Sequence, residues 1–506
     1  MGFASVLWAQ DPIPCTTNPF DPRPLPLCDP FGGGGGNSAD FSLSASPATT
    51  VVAPNASASY QVTVQAINNF SSPVQLSASG FNATFSPNPT TGSSTMTLTN
   101  GTALGTFQVT VTGTGGGLTR TTNVVLISSN PPTATRFVPL MTPCRVVDTR
   151  NANGTFGGPF LSGGASREFD IPSSSCNIPS TAQAYVLNAT VVPKTTLGFL
   201  KLYPCGETQP FTSNLNSADG RVKAVAALIG AGTNGGVCAL PDKDTNFVLD
   251  ISGYFVSAAS NPNGLQFYPL APCRAADTRV TGTPLRASIP QSFSIRPGSC
   301  NVPQAAQAYS LNFTAVPHAA LGFLRAWPAG QAQPSVSTLN APTGTTTANA
   351  AIVGAGSGGD ISVVASDDSD LVIDINGYFA PPGSGPSNTN GFSFYALTPC
   401  RMLDTRHPPS AAFNGTLTLN VGNSGCGAAS TATAYAVNAT VVPPGSLGYL
   451  TLWADGAAQP PVSTLNANDG AVTSNMAIVP TTNGSIKAFV SNPADLVLDI
   501  FGYFAP

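Results

Sequence analysis

Cys144-Arg145-Val146-Val147-Asp148-Thr149-Arg150 returns as Cys273-Arg274-Ala275-Ala276-Asp277-Thr278-Arg279, and again as Cys400-Arg401-Met402-Leu403-Asp404-Thr405-Arg406. Each copy follows a proline (Pro143, Pro272, Pro399) and an aromatic-led run: Phe137-Val138-Pro139-Leu140, Phe267-Tyr268-Pro269-Leu270 and Phe394-Tyr395-Ala396-Leu397. Each also opens a stretch that closes on Asp-Ile-x-Gly-Tyr-Phe, at Asp250 to Phe255, Asp374 to Phe379 and Asp499 to Phe504. The chain is a tandem array behind a separate front end. With 506 residues it exceeds the length at which one core stops growing, so several domains are expected.

Working outward, short alternating runs recur in one order inside each repeat. Ala184-Tyr185-Val186-Leu187-Asn188 matches Ala308-Tyr309-Ser310-Leu311-Asn312 and Ala434-Tyr435-Ala436-Val437-Asn438, followed by Leu-Gly-aromatic-Leu and then Leu-Asn. No run keeps the 3.6-residue period of an amphipathic helix. The pattern predicts about eight or nine antiparallel strands per unit, packed as a sandwich or closed as a barrel. Units of this length can each bury a core, which reads as beads on a string more than a solenoid. The repeats span 136–256, 265–380 and 392–506.

Ahead of them, residues 39–129 alternate as in Tyr60-Gln61-Val62-Thr63-Val64, broken by Asn-Pro, Thr-Gly and Gly-Gly turns. About seven short strands fit a sandwich. Phe41-Ser42-Leu43-Ser44, Phe85-Ser86-Pro87 and Gly105-Thr106-Phe107 resemble bacterial immunoglobulin-like domains, without the inter-sheet cysteines of antibody domains. The fold class is therefore all-β: an immunoglobulin-like sandwich, then three homologous antiparallel units. Residues 10–38 read as a Cys-, Pro- and Gly-rich leader and linker. The apolar residues 1–9 read as the remnant of a signal peptide.

Composition narrows the function. Only 8% of residues are charged against an average of about 25%, and the net charge is -4. A chain without a basic stripe is a poor partner for nucleic acid. No stretch of ~18 apolar residues predicts a membrane span. The ten cysteines are even in number, which suits an oxidising, extracellular compartment. One bridge per unit pairs Cys144 with Cys176, Cys273 with Cys300 and Cys400 with Cys426. Cys205 and Cys238 occur together in unit one alone, so they are expected to pair, which leaves Cys15 for Cys28.

The Arg-x-x-Asp-Thr-Arg openings and Gly-Tyr-Phe closings resemble repeats of secreted and cell-surface proteins of soil bacteria, over about residues 136 to 506. That resemblance implies extracellular display or attachment and names no ligand. Three observations set the candidate chemistry. First, six of the 19 Lys and Arg stand in the three motif copies of a chain that otherwise avoids charge. In a regular strand Asp148 and Arg150 share a face and Arg145 points opposite. One reading has these groups binding glycan hydroxyls or uronic acids. The favoured one is a structural clamp, with Arg145, Asp148, Arg150 and Asp250 in unit one, Arg274, Asp277, Arg279 and Asp374 in unit two, and Arg401, Asp404, Arg406 and Asp499 in unit three. Second, Tyr203, Trp327 and Trp453 align and form a candidate sugar-stacking platform, against a core role. Third, Gly230 to Gly235 and Gly354 to Gly359 match Gly-x-Gly-x-x-Gly, but strand-like sequence follows each, which argues against a nucleotide loop. Asp367-Asp368-Ser369-Asp370 reads as a solvated turn over a calcium site. His318 and His407 are not equivalent, and no catalytic motif is present.

The expectation is a non-enzymatic exported protein for surface display or adhesion, with weak binding of polysaccharide or cell wall. The alternatives are a homopolymeric fibre or sheath subunit and, more remotely, the accessory chain of a secreted hydrolase. No cofactor or metal is expected.

Overall fold

The computed structural model describes residues 38–296, 299–406 and 412–506. The signal remnant, nearly all of the leader, the Cys15 to Cys28 pairing and His407 lie outside these residues.

The head is a two-sheet sandwich. One sheet runs Asp40–Ser46, Ser57–Ile67, Ser93–Thr99, Asn82–Ser86; the other runs Thr49–Val52, Leu118–Ser128, Gly105–Gly115, Gln75–Ala78. Alternation makes it: Ala58, Tyr60, Val62 and Val64 face the core, while Ser57, Ser59 and Gln61 face out. Eight strands form where about seven were expected. The extra one is Thr49–Val52, which leaves the first sheet and pairs in parallel with Leu118–Ser128.

Each repeat is an eight-stranded sandwich. In unit one the strands are Thr135–Asp148, Arg167–Asp170, Ala182–Pro193, Leu197–Pro204, Leu215–Ser217, Lys223–Gly230, Gly236–Pro241 and Thr245–Ser257. The first, eighth, third and sixth make one sheet in that order; the second, seventh, fourth and fifth make the other. That order is a jelly roll. Unit two repeats it from Gln266–Asp277 to Ser369–Ala380. Unit three does so from Ser393–Asp404, with its last two strands continuous as Ser485–Ala505. Cys144–Cys176, Cys273–Cys300 and Cys400–Cys426 tie each opening strand to the loop before the third strand. Cys205–Cys238 links the turn after Leu197–Pro204 to the strand Gly236–Pro241 in unit one.

The units are not beads on a string. They close around a pseudo-threefold axis, and the aromatic residues at both ends of each repeat build its core. Phe137, Phe255, Phe267, Phe379, Phe394 and Phe504 are all 1% exposed or less and form one cluster. Ring centroids cross each boundary: Phe137 to Phe379 at 4.6 Å, Phe255 to Phe394 at 4.6 Å and Phe267 to Phe504 at 4.5 Å. The glycine of each Gly-Tyr-Phe is required here. A Cβ on Gly253, Gly377 or Gly502 would stand 2.4, 2.2 or 2.5 Å from the opening phenylalanine of its own unit. Beside this cluster the opening strands close a backbone triangle. Phe137 bonds reciprocally with Leu265, Phe267 with Phe392, and Thr135 pairs with Phe394. Sequence reading missed this because a Phe facing a second unit has the same period as one facing its own core.

The head also docks. Thr208 of unit one donates its N–H to Leu104 O (3.0 Å) and its hydroxyl to Thr106 O (3.1 Å). Ile127 joins the apolar core of unit three, with Val51 and Val125 packed against it.

Candidate functional site

The motif charges converge in every unit through one irregularity. Leu249 pairs with Val147 but Asp250 pairs with Arg145, so Val146 is bulged out; units two and three skip Ala275 and Met402 in the same way. A bulge reverses the facing of the residues beyond it. The regular-strand expectation that Arg145 points away from Asp148 is thereby corrected. Arg145 Nε donates to Asp250 Oδ1 at 2.8 Å and its Nη1 to Asp148 Oδ2 at 3.2 Å. Arg150 donates to both oxygens of Asp148, at 2.8 and 2.6 Å. Unit two repeats this with Arg274, Asp374, Asp277 and Arg279, and unit three with Arg401, Asp499, Asp404 and Arg406. The side chains of Asp250, Asp374 and Asp499 are only 3, 5 and 1% exposed. Burial pushes all three carboxyls up, Asp250 to about 6, against the pull of its arginine. Hydrogen bonds from Arg150 and Arg279 hold Asp148 and Asp277 below the usual carboxylate range.

This charged face is also where the next unit seats. Asn188, Asn312 and Asn438 lie opposite Asp250, Asp374 and Asp499 on the neighbouring strand. Each donates across a boundary: Asn188 to Ser337 O (2.7 Å), Asn312 to Ser463 O (2.8 Å) and Asn438 to Ser213 O (2.9 Å). Units one, two and three are thus joined cyclically. Asp499 Oδ2 additionally accepts from Ser213 N at 3.3 Å. At the far end of the axis Arg221 reaches Asp469 (2.5 Å) and Thr343 (3.0 Å), and Lys223 reaches Val472 O (2.9 Å).

Two further asparagines, which sequence reading did not single out, complete the seams. Asn349 Nδ2 donates to Asn188 Oδ1 and Thr338 O, and its Oδ1 accepts from Ala226 N. Asn475 does the same with Asn312 Oδ1, Thr464 O and Ala350 N. Their signal was a polar residue in an apolar strand, as in Ala348-Asn349-Ala350. The third seam lacks this group, because Val225 stands where Asn349 and Asn475 stand, and Asn438 Oδ1 is left buried without a partner among the described residues. Asn349→Val should therefore cost roughly 2 kcal/mol in urea unfolding, since it strands two acceptors and a donor in the interior. A cost well under ~1 kcal/mol would mean that water replaces the amide.

The candidate glycan platform is corrected by burial. Tyr203, Trp327 and Trp453 are 5, 3 and 3% exposed. Their polar atoms are engaged with Ser166, Gln331 O and Ala457 O, so no ring face is free for a sugar. The two Gly-x-Gly-x-x-Gly runs are tight turns leading into the strands Gly236–Pro241 and Asp360–Ala365. In the acidic turn Asp368 pairs with Arg286, and Asp370 meets His318 and Thr278. Among the described residues no group of three or more His, Cys, Asp or Glu is placed to hold a metal ion, and no helix is long and apolar enough to cross a membrane.

A scan against protein-family models finds no match, and neither does a search of curated proteins. Solved structures do match. The adhesin InvE of Yersinia pseudotuberculosis is 14% identical at a TM-score of 0.15, over 44% of this chain and 61% of the adhesin chain. Two domains of the S-layer protein SbsC are 12% identical at 0.16, over 40% of this chain and 98% of theirs. An ectodomain fragment of ICAM-5 is 13% identical at 0.15, over 88% of this chain and all of the fragment. Scores this low carry no argument about arrangement or activity.

Proposed function

We propose that the chain is a non-enzymatic, extracellular display or structural protein, in which one chain supplies the three jelly rolls of a closed ring and a head fixed upon it. The observation that carries this reading is the use of the repeated charged motif: its arginines and aspartates are engaged with one another on the faces where the units meet. Residues paired in this way, with Asp250, Asp374 and Asp499 buried, build a rigid body. The disulfides support an oxidising compartment. The test is surface shaving of the native cells with protease, combined with thiol labelling. The expected result is release of its peptides by protease added to whole cells, with the paired cysteines blocked to thiol labelling until reduction. A reduced protein confined to the cytoplasm would overturn the reading.

A second reading, the fibre or sheath subunit, has one observation in its favour. Among the described residues the strand Phe413–Asn420 pairs only with Ser485–Ala505, and along it inward-facing residues alternate with exposed ones. It leaves an eight-residue sheet edge for another copy to extend, twice the length of its four-residue counterparts Arg167–Asp170 and Gln291–Ser294. Negative-stain images of single three-lobed particles favour display, and filaments favour the fibre.

A further inference from the structure

The three homologous units act as internal controls for one another at the outer edge of their second sheet. In units one and two that edge is a four-residue strand, Arg167–Asp170 or Gln291–Ser294. Sheet edges are commonly protected by short strands, charges and prolines. Unit one places Arg167, Glu168 and Asp170 in its edge, and unit two brackets its own with Pro290 and Arg296. The edge of unit three, Phe413-Asn414-Gly415-Thr416-Leu417-Thr418-Leu419-Asn420, is eight residues long and has neither a charge nor a proline. Among the described residues only Ser485–Ala505 pairs with it.

The register shows which backbone groups are open. Val421 N donates to Gly484 O, and opposed residues of an antiparallel ladder alternate between bonded and non-bonded pairs. Leu419 and Leu417 therefore bond towards Ser485–Ala505, whereas Asn420, Thr418 and Thr416 turn their N–H and C=O to the open side. Ser485, opposite Asn420, agrees with this: its N–H goes to Asn483 Oδ1 and its C=O accepts from Asp455 N. Phe413 and Leu419 pack on the core of unit three, Leu417 stays partly exposed, and Asn414, Thr416, Thr418 and Asn420 are exposed.

We propose that this edge pairs with the same edge of a second copy of the chain, antiparallel, with a two-fold axis at Leu417. The strand is close to a palindrome around that residue, with Thr416 mirrored by Thr418 and Asn414 by Asn420. Centring on Leu417 sets Thr416 opposite the second copy's Thr418, both with open backbone groups, so the two exchange reciprocal hydrogen bonds. The same register places threonine against threonine on the outer face, a favourable cross-strand pair, and covers the exposed part of Leu417 with the second copy's Leu417. Gly415 (φ 86°) ends the regular stretch and stands opposite the second copy's Leu419, where the missing side chain leaves room. Neither strand brings a charge, so the copies meet without repulsion. Such a contact is isologous and closes at two copies, where a heterologous one could run on as a filament. An edge of this length buries less than the ~1,200 Å² of a standard interface, so dissociation in the micromolar range is expected. The proposal rests on the open edge that the fibre reading also uses and is independent of the display reading.

Sedimentation velocity of the full chain, from low micromolar to near-millimolar concentration, is the test. Reversible dimers are the expected result. Thr416→Lys with Thr418→Lys sets like charges opposite each other and should weaken the dimer at least tenfold, whereas Thr416→Lys with Thr418→Glu sets opposite charges in the same register and should restore it. Both side chains are exposed, and the unsubstituted series stands even if a variant fails to fold. Monomers throughout would overturn the proposal, and open-ended polymers would overturn it while supporting the fibre. Dimers untouched by the paired lysines, or equally weak in both double variants, would also overturn it.

Discussion

Asp499→Ala is expected to destabilise the chain by about 3 kcal/mol in urea unfolding. The carboxylate is 1% exposed and receives two bonds from Arg401, at 2.7 and 3.2 Å, and one from Ser213 of unit one. Removing one partner of a buried pair leaves the other uncompensated, at about 3 to 5 kcal/mol. The lower end applies because Arg401 keeps Asp404 and remains 26% exposed. The double replacement Arg401→Met with Asp499→Leu should recover most of the loss, since apolar residues of similar size often match or exceed a buried pair. Should the single variant unfold within ~0.5 kcal/mol of the parent, the pair is solvated and the clamp is absent.

Phe379→Ala should have a still larger effect, about 4 kcal/mol, within the usual range for truncating a buried phenylalanine. Phe379 is fully buried and packs, tilted or edge-on, against Phe137 and Phe255 of unit one, Phe267 of its own unit and Phe504 of unit three. The cavity would therefore open on the axis and not inside unit two. Calorimetry should show the three units melting together at a lower temperature. Separate transitions, with only one of them shifted, would mean that the units are stabilised independently.

The sign of the pH response differs between the motif's two kinds of aspartate. Asp148 and Asp277, held low by Arg150 and Arg279, contribute stability that is present above the ordinary carboxylate pKa and is lost as pH falls through their folded values. Asp250, raised to about 6, works the other way: stability falls as pH climbs from about 4 through 6. Asp250→Asn should remove that decline while leaving acid unfolding in place.

Period-2 alternation, as in Tyr60-Gln61-Val62-Thr63-Val64, determined strand content and the all-β class, because a pleated strand sends successive side chains to opposite faces and only one face is buried. Recurrence at near-constant spacing determined that three copies of one structure would follow the head. A chain with 8% charged residues also showed that its clustered arginines needed partners. What the sequence could not show is which partners lie across a unit boundary. Phe137 and Phe379 have the pattern of any core residue, and Tyr203, Trp327 and Trp453 have the pattern of either a core or a platform. Alternation reports that a face is covered and says nothing about what covers it. Only the tertiary structure decided that the units close on one axis, that a bulge at Val146 turns Arg145 onto Asp250, and that a neighbouring unit sits on the charged face. Contacts between residues more than a hundred positions apart, such as Asn188 to Ser337 and Asn438 to Ser213, arise from the packing of whole sheets, and local periodicity carries no trace of them.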